Sequence, residues 1–141
     1  MPKLFERDGL SFQYPENWQI ESEDADDGWS VHVQSPATAF MLLSYYPGVT
    51  DPGPLLAEAL GTLKEMYKEL ETEEVQETIA GSPATGLDIG FVSLDFTNTC
   101  RLRGLQVIDG CLIVLCQCTD AELNLNGLVM QAICKSLKID D

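Results

Sequence analysis

The chain has little positive charge. Only 8 of its 141 residues are lysine or arginine, against 23 aspartates and glutamates, for a formal net charge of -15. Nucleic-acid backbones and anionic membrane surfaces are held by clustered lysines and arginines, and the basic residues here are scattered. Neither partner is therefore expected. Histidine occurs once, at His32, which leaves no histidine set for a metal centre. No stretch approaches the ~20 apolar residues that cross a bilayer. The opening Met1–Asp8 segment carries no apolar signal core, so a cytoplasmic protein without membrane insertion is expected. The five cysteines are odd in number and most lie inside apolar runs, which predicts reduced thiols rather than a disulfide framework. Repeats, low-complexity tracts and long linkers are missing too. Residues 1–141 read as one domain, long enough to bury roughly two-thirds of its unfolded surface.

The segment Leu102–Leu137 is the most informative part of what is present. It predicts a strand, an Asp109-Gly110 turn, the nearly all-apolar strand Cys111–Cys116, and an amphipathic helix. A strand that apolar needs cover on both faces. With Asp109 and Gly110 as the two turn residues, Arg103 would face Cys116 and Arg101 would face Cys118. Thr119 and Glu122 have capping-box spacing, and Leu125, Leu128, Val129, Ala132, Ile133 and Leu137 predict the apolar stripe of the helix.

Further upstream, alternation predicts strands over 10–14, 29–34 and 40–46, with a return strand beginning at Trp18. The acidic stretch Glu21–Asp27 reads as a solvated loop, because its acids lack calcium-loop spacing. Asp51-Pro-Gly-Pro54 opens a helix whose stripe is Leu56, Leu60, Leu63, Tyr67 and Leu70. Val75–Ala80 and 87–96 predict two more strands, the second with a phase change near Phe91 read as a bulge or as burial on both faces. Strands, helix, strands, helix, joined by hairpins, give an α+β fold: a mainly antiparallel twisted sheet sandwiched by helices.

No motif fixes a chemistry. His32 lies on the polar side of its strand without partners and reads as a surface histidine. Cys116 and Cys118 share a strand face opposite arginines, so they are candidate reactive thiols, although two small hydrophobes ending a core strand is the commoner arrangement. Gly81–Gly86 lacks the lysine of a phosphate-binding loop, and no nucleophile turn of the Gly-x-Ser-x-Gly kind exists. Catalytic residues, metal ligands and cofactor-binding residues are all expected to be none. Trp29, Met41, Tyr45 and Tyr46 are candidate interaction-surface anchors, as aromatics and methionine are enriched in interface cores, although ordinary core packing is the commoner role for each.

Several stretches together carry a family resemblance. They are Leu10-Ser-Phe-Gln-Tyr-Pro-Glu-Asn-Trp18, the helix after Pro54, Glu77-Thr-Ile-Ala-Gly-Ser-Pro-Ala84, and the helix ending Ser136-Leu-Lys-Ile139. In these the chain resembles the PsbP-like superfamily: photosystem extrinsic subunits, a Ran-binding nuclear import factor, DcrB-type lipoproteins and chaperones of type VI secretion effectors. The resemblance implies a twisted antiparallel sheet between helices and a role in binding proteins rather than in catalysis. No functional residue carries over with it.

The expectation from sequence is thus a non-enzymatic cytosolic protein-interaction module, an effector chaperone or adaptor, with a protein partner, no cofactor, and homodimerisation through a strand edge left open. The alternative is a small-ligand binding protein or enzyme using a cleft near Arg101, Arg103 and Cys116.

Overall fold

Alternating apolar and polar residues form most of the molecule, a computed structural model of which describes residues 2–25 and 28–140. In chain order the elements are β1 (Lys3–Arg7), β2 (Leu10–Tyr14), β3 (Gln19–Ala25), β4 (Gly28–Gln34), β5 (Phe40–Pro47), α1 (Gly53–Met66), β6 (Leu70–Ile79), β7 (Ser82–Ser93), β8 (Phe96–Val107) and β9 (Gly110–Thr119). A 3-10 turn (Asp120–Glu122) and a π-helical turn (Leu123–Gly127) then lead into α2 (Leu128–Lys135) and the short β10 (Lys138–Ile139). The α+β class holds. Seven strands form one antiparallel sheet in the order β3-β4-β5-β9-β8-β7-β6, and β1-β2-β10 form a small second sheet.

The apolar strand β9 occupies the middle of the large sheet, where both faces are covered. On one face Leu56 and Leu63 of α1 pack on Ile89, Phe91, Cys100, Leu102 and Ile113. Tyr67, just past the end of α1, stacks on Phe91 with ring centroids 4.1 Å apart. The other face carries Val31, Val33, Met41, Leu43, Leu112 and Val114 beneath Met130 and Ile133 of α2 and Leu10, Phe12 and Tyr14 of the small sheet. Asp51 Oδ1 accepts from the Gly53 amide at 2.9 Å, satisfying a free donor at the start of α1.

Several expectations need correction. The acidic stretch after Trp18 is not a loop: Glu21–Ala25 continues β3 and pairs with β4. Asp26 and Asp27 lie outside the described residues. Helix α1 stops at Met66, and Leu70, placed by sequence on its stripe, opens β6. Both edges of the large sheet are therefore acidic, with Glu21, Glu23 and Asp24 on β3 and Glu71, Glu73, Glu74 and Glu77 on β6. Charge on an edge strand opposes pairing with another sheet.

The phase change near Phe91 is neither a bulge nor double burial. It is a hairpin turn, with Ser93 pairing Phe96 around Leu94 and Asp95. Both turn residues have positive φ, 53° and 68°, although neither is glycine or asparagine. Leu94 is also 89% exposed, so its side chain offsets little of that strain. Leu94→Asn is expected to raise the unfolding free energy by roughly 0.5–1 kcal/mol in urea titrations. A lower midpoint would mean that Leu94 makes stabilising contacts.

The β8–β9 hairpin is shifted by two residues from its expected register. Val107 pairs with Gly110, leaving Ile108 and Asp109 as the loop. Only Asp109 of these has positive φ. Gly110 is needed for a different reason: a Cβ there would stand 2.4 Å from the Tyr46 carbonyl oxygen of β5. Arg101 consequently faces Cys116, and Arg103 faces Val114. An even shift leaves every side chain on its expected face.

Candidate functional site

Alternation places Arg101, Arg103, Val114, Cys116 and Cys118 on the sheet face that α2 covers. Cover is incomplete. Between sheet and helix lies a cavity of about 550 Å³, within the range of ligand sites. Its sheet side is lined by Glu77, Ile79, Thr99 and the five residues just named, and its helix side by Leu123, Gly127, Met130, Gln131, Cys134 and Lys135. The π-helical turn before α2 inserts an extra residue into the helical spacing and so sets which side chains face the sheet. Met130 and Ile133 are buried, whereas Leu125 and Leu128, expected on the stripe, are 71% and 58% exposed. The capping box does not form either. Glu122 instead accepts from the Thr38 amide at 3.0 Å and its hydroxyl at 2.9 Å, and Asp120 accepts from Thr99 Oγ1 at 2.6 Å.

The two arginines differ in what they hold. Arg103 is buried, and its guanidinium donates to Glu77 Oε2 at 2.5 Å, Asp88 Oδ1 at 2.8 Å and the Leu87 and Leu102 carbonyls at 3.1 Å each. Burial works against its charge, but the hydrogen bonds and charges of Glu77 and Asp88 outweigh that and raise its pKa. It ties β6, β7 and β8 together. Arg101 is half-buried and donates to the Gln131 amide oxygen, from Nη1 at 2.7 Å and Nη2 at 3.2 Å, in the amide orientation that suits both groups. Among the described residues it makes no ion pair.

Three thiols line the same space. The Cys116 thiol is pushed well up by its hydrogen bond to Cys134 and then by burial. The same hydrogen bond lowers the Cys134 thiol, with Arg101 and Arg103 acting in the same direction against burial. Cys118 is raised by burial, then by Glu122 and Asp120. Cys116 and Cys118, the candidate reactive pair, are buried and held protonated, as small core hydrophobes would be, whereas Cys134 is partly exposed. Thiolate character and access together favour Cys134 as the reactive thiol of the cavity. No group of three or more metal-ligating side chains is found among the described residues.

The remaining candidates sit elsewhere. His32 pairs with Leu42 on β5, on the sheet face away from the cavity, and stacks on Phe40 at 5.3 Å. Trp29 and Met41, candidates for surface anchors, instead lie in the core at 3% and 0% exposure, the commoner place for such side chains. Both lie on the strand face that packs beneath the small sheet and α2. Tyr45 is half-buried and donates to the Ile108 carbonyl at 3.2 Å, and Tyr46 is 39% exposed. Both tyrosines and Trp29 line a smaller cleft of about 300 Å³. Sequence reasoning grouped Arg101, Arg103, Cys116, Cys118 and His32; the structure brings the first four together, leaves His32 on the other face, and adds Glu77, Met130, Gln131 and Cys134, which that reasoning missed. Leu123, Gly127, Met130 and Cys134 recur at spacings of four, three and four, but the more apolar set through Leu125 and Leu128 competes with that stripe, and the sequence holds no signal that chooses between them.

No protein family and no curated protein matches this chain. Solved structures do. The chain is similar to LpqN, involved in cell envelope biogenesis of Mycobacterium tuberculosis, with a TM-score of 0.63 at 16% identity over 100% of this chain and 90% of that one. It is similar as well to PA94 of Pseudomonas aeruginosa, a protein of unknown function, with a TM-score of 0.59 at 16% identity over 99% and 98% of the two chains. At such identity the likeness shows the fold alone.

Proposed function

We propose that this chain is a non-enzymatic binding module whose site is the cavity between β6, β8, β9 and α2. One observation carries the reading: a space of about 550 Å³ lies where Arg101, Arg103 and Cys116 converge. Ligand sites of this kind are mainly apolar with a few placed polar groups, and Ile79, Val114, Leu123 and Met130 supply the apolar wall. A binding role is supported over catalysis by the state of the ionisable groups. Glu77 is engaged by Arg103, Cys116 is kept as a thiol, and the single histidine lies on the other sheet face. General acid–base work needs a free group within reach of the ligand, whereas Glu77 is ion-paired and His32 faces away from the cavity. Free thiols throughout the chain support a reducing, cytoplasmic setting. No helix among the described residues is long and apolar enough to cross a membrane.

Cys134 supplies the test. In the empty protein it is expected to alkylate fastest of the five cysteines with iodoacetamide at neutral pH. A fraction of small molecules from the host should slow that labelling while leaving denatured-state labelling unchanged. If no fraction protects Cys134 and nothing is released when the purified protein is denatured, the reading is lost.

A second reading, the protein-interaction module with a chaperone or adaptor role, is supported by the β7–β8 tip. Val92, Leu94 and Phe96 are 62%, 89% and 61% exposed there, and apolar residues gathered on a surface mark contact sites. The PsbP-like resemblance of the sequence supports it too. The two readings use different ends of the molecule's chemistry, and substitutions at the tip should leave Cys134 protection intact.

A further inference from the structure

We propose, resting on the cavity reading above, that the occupant is an aliphatic monocarboxylate whose head group is held by Arg101. The chain has eight basic residues, and three of them, Arg101, Arg103 and Lys135, line this one cavity. Arg103 is already neutralised, with four hydrogen bonds going to Glu77, Asp88 and two carbonyls. Arg101 is not. A guanidinium has five N–H donors, and the hydrogen bonds of Arg101 within the described protein both end on the Gln131 amide oxygen. A neutral amide fixes the orientation of the fork without neutralising it, so a charged acceptor is still called for. Lys135 is exposed at the rim and adds a second cation that makes no ion pair among the described residues.

Charge complementarity narrows the head group. A guanidinium fork matches the planar carboxylate, and such charge-assisted bonds are roughly twice as strong as neutral ones. Glu77 lines the same cavity, which disfavours a dianion such as a phosphate monoester more than a single negative charge. The rest of the lining sets the body. Val114, Leu123, Met130 and the protonated Cys116 offer no charge, and methionine adapts its shape to an unbranched chain.

Calorimetric titration of the full chain with laurate and with dodecanol, both below their aggregation limits, tests the assignment. Laurate is expected to bind about tenfold or more tightly than the alcohol of equal length. Arg101→Met should abolish that preference while dodecanol still binds, and Arg101→Lys should keep part of it. Equal affinities for acid and alcohol in the unmodified protein would overturn the head-group assignment and leave the cavity reading standing. Binding of neither ligand would also overturn it, and Cys134 protection by host fractions would then decide the broader reading separately. Because the acid–alcohol comparison uses the unmodified protein, misfolding of a variant cannot mask the answer.

Discussion

Arg103→Ala is expected to lower the unfolding free energy by about 3 kcal/mol, the low end of the loss for breaking a buried ion pair. The substitution removes four hydrogen bonds in a single step and leaves the Glu77 and Asp88 carboxylates without their shared cation. Those side chains are 44% and 38% exposed, so water can reach them once the guanidinium has gone. That access keeps the loss from reaching the top of the range. Urea unfolding followed by tryptophan fluorescence measures it. Arg103→Met should cost less, since it retains most of the packing along the stem. A change below about 1 kcal/mol for the alanine variant would show that the three-strand tie is screened by solvent and adds little.

Gly86→Ala should be comparably damaging, for a reason of shape alone. Gly86 pairs with Arg103 across β7 and β8. A Cβ built there stands 1.8 Å from the Leu102 carbonyl oxygen, 2.8 Å from its carbon and 3.0 Å from Arg103 Cα. All three are backbone atoms, so no side chain can rotate aside. The strands must separate locally, and a loss of about 3 kcal/mol, the upper end of the overpacking range, is expected. Because Gly86 and Arg103 are neighbours, the double variant should lose less than the sum of the two. Unchanged stability of Gly86→Ala would mean that β7 can shift against β8 without cost, and the Arg103 tie would then be looser than its geometry indicates.

How much of this was legible beforehand differs from element to element. The run Cys111–Cys116 could only be a strand covered on both faces, and it lies at the centre of the large sheet. The Asp109-Gly110 pair marked a hairpin correctly but not its register. Its glycine is required by the approach of β5, a long-range contact that no local pattern encodes. The same dipeptide at Asp8-Gly9 forms the β1–β2 turn, with both residues at positive φ. It went unused because Lys3–Arg7 alternates weakly. The strand start near Trp18 and the strand over Val75–Ala80 were legible, but the acidic stretches of β3 and β6, 21–25 and 70–74, were hidden by composition, since charge runs usually mean loops. An edge strand needs one apolar face at most and uses its charges against further pairing.

Side-chain order along each strand, and therefore which residues share a face, was determined by the sequence itself: the two-residue period survives even a register slip of two. That is why alternation alone brings Arg101, Arg103, Cys116 and Cys118 to one surface. What only the tertiary structure decided is the space above them. The π-helical turn at Leu123–Gly127 rephases the final helix, presents Gln131 and Cys134 instead of Leu125 and Leu128, and leaves a cavity unfilled. A π turn differs from an α turn by one residue of hydrogen bonding. Its cost and its stabilisation both arise from packing against a distant sheet, which is why local propensity carries no record of it.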